Sequence, residues 1–348
     1  MEFGLLAVYL IKATIYMLAL YMFNKLVLSK NTFHRMNRFM WLGVLVCSFL
    51  LPLLKVESQA IHQAVISSDL NALINTSEKL HSDTVSSSSS NTTNFTQFAC
   101  YTYLFGVLAF TIYYLITYSS LIKFLRSISR LSNDTSAYES TFRECETLSN
   151  TTRKIRYIVH NQDIAPFSWF NYIVLSEKNL EEAGKDIILH ELAHSRQRHS
   201  LDITTVNIAS ILLWFNPTVW LIKRELQQVH EYLADEDVLT HGTSMRDYQL
   251  LLIKESSSSY MYSLSNNFFQ SSLKKRMLMM LKEKSNKWSA AKSLIVVPTV
   301  ALASLLIASP FIANNLRGIS TVTLWDEAPL VTEDKDTEGI ELVLQKML

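Results

Sequence analysis

The chain has few of the residues that staple a small secreted fold and no excess of the charge that would attract nucleic acid. Three cysteines in 348 residues, Cys47, Cys100 and Cys145, imply no disulfide framework. Lysine and arginine (32) balance aspartate and glutamate (31) to a net charge of +1, so no direct nucleic-acid binding is expected. The N-terminus lacks a basic leading region and a small-x-small cleavage site, so its apolar run reads as a retained anchor. What is present instead is apolar. Hydrophobic residues make up 49% of the chain and mean hydropathy is +0.13, which puts a lipid bilayer among its partners.

Four apolar stretches approach the length of a bilayer span: Phe3 to Phe23, Phe39 to Leu54, Phe98 to Ile122, and Leu294 to Ala313. The second is short and would need local thinning or help from its flanks. Lys25, Lys30, Arg35 and Arg38 crowd the first connection with no acid between them. Lys123, Arg126 and Arg130 follow the third span, and Lys274, Lys275, Arg276, Lys282, Lys284, Lys287 and Lys292 precede the fourth. The tail carries Asp326, Glu327, Glu333, Asp334, Asp336, Glu338 and Glu341. The positive-inside rule therefore predicts both termini outside and the stretch between the third and fourth spans in the cytoplasm.

That stretch holds the chemistry. Ile187-Ile188-Leu189-His190-Glu191-Leu192-Ala193-His194 is an H-E-x-x-H motif in an apolar setting. One helical turn separates His190 from His194, so both imidazoles leave one face and can share a zinc ion. Glu191 sits about 100° round the helix, where its carboxylate reaches a water at the metal rather than the metal itself. A charged helix face that happens to carry two histidines is the bland alternative. The flanking isoleucines oppose it, because a buried His-Glu-His needs a compensating interaction.

Downstream, Glu231 and Asp235 stand at i,i+4 on one helical face. Glu231 can close a three-ligand site, and Asp235 can hold the free N–H of a ligating histidine. His230 competes with Glu231 as a ligand but points about 100° away. An acidic surface continued by Glu236 and Asp237 is the plainer reading.

The run His190 to Asp202 (H-E-L-A-H-S-R-Q-R-H-S-L-D), then Trp214 to Pro217 (W-F-N-P) and Val229 to Asp235 (V-H-E-Y-L-A-D), resembles the BlaR/MecR-type integral-membrane zinc metallopeptidases. The likeness extends upstream to Ala165–Leu175 and downstream to Ser271–Lys282, so it covers most of residues 98 to 313. The resemblance implies Zn2+ held by His190, His194 and Glu231, with Glu191 as base. It also implies a protein substrate, either a cytoplasmic transcriptional repressor or the protein itself, cleaved to relay an outside condition. Only Asn314 to Leu348 follow the last apolar stretch, too few residues for a penicillin-binding sensor domain, so β-lactam sensing is not expected. The S-x-x-K matches at Ser120–Lys123 and Ser271–Lys274 fall on the cytoplasmic side and carry no such meaning. Two other functions compete: a housekeeping protease for membrane-protein quality control, and a catalytically silent scaffold.

The expected fold is mainly α: a multi-pass protein of a bacterial inner membrane carrying a small α+β, zincin-like metallopeptidase domain. Its parts are two spans (1–54), an outer loop (55–97), a third span (98–122), the zinc domain (123–255), a cytoplasmic linker with a basic juxtamembrane helix (256–292), the last span (293–313) and an acidic outer tail (314–348). The apolar stretch 203–222 would separate His190 from Glu231 if it crossed the membrane. Asn216-Pro217 breaks it into two short helices that keep the ligands together. Ser86 to Thr96 reads as disordered. Residues 154–160 and 170–175 read as strands, with an edge at Ala165–Ser168 that could bind an extended substrate. Ser256–Ser259 and Ser265–Asn267 read as open linker, a site for self-cleavage. Lys12 lies inside the first span and is expected to snorkel outward.

Overall fold

A computed structural model describes residues 3–27, 31–53, 89–131, 135–162, 164–258 and 266–285. Contacts divide the chain into two units. One comprises Met1–Tyr9, Ser58–Thr102 and Pro310–Leu348; its described residues are the first turns of two helices. The other, Leu10–Glu57 with Tyr103–Ser309, contains the sheet and the motifs quoted above. The fourth apolar stretch and the acidic tail lie outside the described residues, as does most of the outer loop.

The protein is mainly helical, with a small mixed sheet. Helices α1 (Phe3–Val27), α2 (His34–Leu50) and α3 (Ser89–Leu131) come first. Among the described residues three helical stretches are long and apolar enough to cross a membrane: Leu6–Leu26, His34–Leu53 and Gln97–Arg130. The second starts earlier than its hydropathy suggests. At about 1.5 Å per residue its 20 residues reach roughly 30 Å, the length of a bilayer's hydrocarbon core. Ser89–Thr96, expected to be disordered, instead opens α3.

Beyond these apolar helices come α4 (Glu139–Leu148), β1 (Arg156–His160), β2 (Phe167–Trp169), β3 (Tyr172–Ser176) and α5 (Glu177–Arg196). Then follow α6 (His199–Leu212), α7 (Pro217–Thr240), α8 (Met245–Ser258) and α9 (Asn266–Met280). The sheet order is β1-β3-β2, with β1 parallel and β2 antiparallel to β3. The expected second strand is therefore the central one, and the edge is a separate short strand. Phe170, with φ of 51°, turns the chain back after β2. That conformation is held on both sides: Ser195 Oγ donates to the Phe170 carbonyl at 2.6 Å, and Phe170 N–H donates to Ser200 Oγ at 3.0 Å.

Alternation along the strands gives the sheet two apolar faces. Val159, Ile173 and Leu175 pack with Phe142 and Cys145 of α4 and with Ile187, Ile188, Leu189 and Leu192 of α5. Ile158 and Val174 on the opposite face pack on Leu125 and Ile128 of α3. The apolar flank of the H-E-x-x-H motif is thus the core of the domain, which fixes α5 against the sheet.

Ser176 caps α5 by accepting from Asn179 N–H at 3.2 Å. Asn216 caps α7 by accepting from Thr218 N–H at 2.9 Å, with Pro217 in the first turn, where its missing donor costs nothing. The break falls at Asn216-Pro217, but the second helix is not short: α7 runs 24 residues and carries Glu231. It packs against α2, α5, α6 and α9, so it is the axis on which the site is assembled. Ser256–Ser258 end α8, and Asn266 and Asn267 begin α9; both were expected to be open linker.

Candidate metal centre

The spacing of α5 puts His190 Nε2 and His194 Nε2 3.2 Å apart. Glu231 of α7 spans the pair, with Oε2 3.6 Å from His190 Nε2 and Oε1 3.6 Å from His194 Nε2. One ligand atom from each of the three residues falls within a 4.8 Å group. A tetrahedral zinc with bonds of about 2.0–2.1 Å places its ligand atoms roughly 3.3 Å apart. The donor set and its spacing fit that ion. His230, the competing candidate, is buried away from this group.

Each histidine is held through its other nitrogen, which leaves Nε2 for the shared space. Tyr248 Oη of α8 lies 2.9 Å from His190 Nδ1 and donates to Asp235 Oδ1 at 2.9 Å. Asp235 itself is 3.5 Å from His190 Nδ1, too far for a hydrogen bond, so the expected direct partner acts through a tyrosine. For His194 the partner is His199, with the two Nδ1 atoms 2.8 Å apart. With Nε2 of His194 left as a lone pair, its Nδ1–H donates and His199 accepts. His199 stacks on His230 with ring centroids 4.0 Å apart and planes 8° from parallel. His230 Nε2 is 2.8 Å from Asp202 Oδ2, and Asp202 takes both a 2.6 Å and a 3.2 Å bond from Arg38 of α2. Arg38 also donates to the Gln197 carbonyl at the end of α5 at 2.6 Å.

Charge is arranged for a cation. Burial pushes His194 down to about 3, which keeps the imidazole neutral and able to ligate. Burial also opposes the charged form of His190, but the carboxylates of Glu231 and Asp235 outweigh it and raise its pKa. Glu231 resists burial in the same way. His190, His194 and Arg276 hold its carboxyl well below the usual carboxylate range.

Arg276 of α9 is the third basic partner. Its Nη1 is 3.0 Å from Glu231 Oε2, and its Nε and Nη2 donate to Asp235 at 2.9 and 2.5 Å. Glu191, 7% exposed, is buried beside the ligand group, where it feels the charge of His190 and Glu231, and Ser168 of β2 stands next to its carboxylate. Burial raises the Glu191 pKa despite His190 and Ser168, so this carboxylate takes up a proton more readily than an exposed one.

All five expected site residues, His190, Glu191, His194, Glu231 and Asp235, thus meet in one place. Tyr248, Arg276, His199, Asp202 and Arg38 join them without a place in the site that spacing alone predicts. Arg276 had a legible signal. It lies on the stripe formed by Leu273, Met277 and Met280, which faces the protein, whereas Lys274 and Lys275 are exposed.

A family profile described as BlaR1 peptidase M56 matches residues 3–281. The regulatory protein BlaR1 of Staphylococcus aureus is 36% identical over 86 residues. That stretch is 25% of this chain and 13% of the relative.

Proposed function

The chain belongs to the BlaR1-type M56 peptidase family, and from that membership we propose that it is a zinc-dependent endopeptidase of the cytoplasmic membrane. His190, His194 and Glu231 would hold the zinc, and Glu191 would act as general base. The observation that carries this reading is the donor set, in which two partly buried imidazoles and a carboxylate converge while their other polar atoms are engaged elsewhere.

Bound zinc supplies Lewis acidity, lowering the pKa of water toward neutrality and polarising the scissile carbonyl. Glu191 takes the proton of the attacking water and passes it to the leaving amine, a task suited to a carboxylate whose pKa burial has raised. An extended peptide adds to the free edge of β2, beside Glu191, using backbone groups that β3 leaves unpaired on that side. Asp235, reaching His190 by way of Tyr248, fixes the imidazole tautomer.

By the distribution of lysine and arginine the site faces the cytoplasm and both termini face outward. The relative's printed name is that of a regulatory protein. On that basis the substrate is a cytoplasmic regulator, and the linker before the last span is a second substrate in the same chain. The test is metal analysis and peptide hydrolysis on the full chain in detergent. One zinc per chain is expected, retained with loss of hydrolysis in Glu191→Gln. Full zinc in the His190→Ala/His194→Ala double variant would sink the assignment. Comparing the proteomes of wild-type and Glu191→Gln cells separates one regulator from the many substrates of a quality-control protease.

A further inference from the structure

We infer that Arg276 is a positioning residue for two of the three ligands, so the metal site is complete only when α9 is docked on α7. This rests on the zinc reading above. Arg276 comes from the segment leading toward the last apolar stretch, yet its side chain is only 14% exposed. Its fork is fully used, with Nε and Nη2 on Asp235 and Nη1 on Glu231. The terminal torsion of a glutamate is soft, and the bond to Oε2 settles it with Oε1 toward His194 Nε2. One carboxylate oxygen is thereby given to arginine and the other is left for the metal.

The second effect runs through Asp235. Arg276 fixes that carboxylate, Asp235 accepts from Tyr248, and Tyr248 accepts from His190 Nδ1. Arg276 therefore orients Glu231 directly and His190 at two removes. The end of the same segment is held independently. Thr32 N–H donates to Ser285 Oγ at 3.0 Å, and Ser285 N–H donates to Thr32 Oγ1 at 2.8 Å. A reciprocal pair thus ties the chain beyond α9 to the connection before α2.

The sign of the effect distinguishes positioning from simple charge. A cation beside a metal site repels the metal, so removing one would tighten binding if charge were all that mattered. Loss of positioning weakens it instead. Zinc affinity of the full chain, measured by chelator competition, is expected to fall about 10- to 100-fold in Arg276→Ala, the usual range for a residue that orients a ligand. Arg276→Lys should recover only part of that loss, because a point donor cannot bridge two carboxylates. The visible spectrum of the cobalt-loaded protein should change in both variants, reporting altered ligand geometry without any assay of hydrolysis. Should Arg276→Ala fail to fold, Arg276→Lys alone carries the same criterion. Unchanged or tighter zinc binding in the folded variants, with an unchanged cobalt spectrum, would overturn the inference. Absence of zinc from the wild type would overturn the ligand assignment itself and is told apart by that control.

Discussion

Tyr248→Phe removes one oxygen atom and asks whether His190 is held by the tyrosine or by Asp235. The ring is 1% exposed and packs with Ile188 and Leu192, so phenylalanine fills the same space. The hydroxyl accepts from His190 Nδ1–H and donates to Asp235. Asp235 keeps its two bonds from Arg276, so the loss falls on the histidine. An N–H left unpaired in a buried site costs about 1–3 kcal/mol. In the metal-free protein the imidazole can turn to reduce that cost, whereas a ligated ring cannot. Most of the penalty therefore appears in the bound state. A difference of about 1–2 kcal/mol between the two states lowers zinc affinity roughly 5- to 30-fold. The assay is competition with a chromogenic chelator, with thermal melting of the metal-free protein as the control for folding. Asp235→Asn should cost more, since it breaks a charge-assisted pair as well as the acceptor for Tyr248. A Tyr248→Phe protein that binds zinc within twofold of wild type, alongside a weakened Asp235→Asn, would refute the argument. It would mean that the 3.5 Å gap between Asp235 and His190 closes on ligation.

Other expectations follow from packing and charge. A Cβ on Gly106 would lie 2.2 Å from the Trp214 indole, so Gly106→Val should destabilise the contact between α3 and the α6–α7 turn by at least about 1–3 kcal/mol, seen as a lower melting temperature in detergent. Arg38→Met leaves Asp202 buried with His230 alone; breaking such a pair costs about 3–5 kcal/mol, and denaturation of the metal-free protein measures it. Burial would raise the Asp202 pKa, but His230 and Arg38 outweigh it and hold it below 3.8, so this carboxylate's stabilisation is complete above its unfolded pKa and is lost as pH falls through the folded one. A flatter acid limb in Arg38→Met than in wild type checks the sign. Cys145 is fully buried and its thiol is pushed up to about 11, so it should resist maleimide even in opened cells. Orientation is better read from a cysteine at exposed Thr147, expected to react only after permeabilisation, and from one at position 90, expected to react in intact cells.

The residues that group together were legible in the sequence because His190, His194 and the Glu231–Asp235 pair obey spacing rules internal to single helices. Their partners were not. Whether Asp235 meets His190 directly or through Tyr248 depends on how closely α8 approaches, a matter of an ångström that no spacing within α7 encodes. Arg276 was read as part of a solvated basic run with Lys274 and Lys275. The phase of α9 turns it inward while the lysines stay exposed, and only the apolar stripe beside it hints at that phase. Arg38 was counted as a marker of membrane orientation, and it also stands next to the buried face of α2 formed by His34, Asn37 and Trp41. The turn that makes β2 a separate strand was not legible for a local reason: Phe170 adopts a backbone angle that favours glycine, supported by contacts with Ser195 and Ser200, which lie in different helices.

The line from Arg38 through Asp202 and His230 to His199 and His194 bears on when during synthesis the site can exist. Its parts, with Tyr248 and Arg276, are drawn from α2, α5, α6, α7, α8 and α9. A ribosome that has released both histidines of the motif has still to make Glu231, Tyr248 and Arg276, and a chain whose α2 has not yet packed on α7 has no Arg38 in place. Long-range contacts of this kind form late, after the loops between them have closed. The half-made protein therefore lacks the assembled donor set until nearly all of these elements have been made and packed.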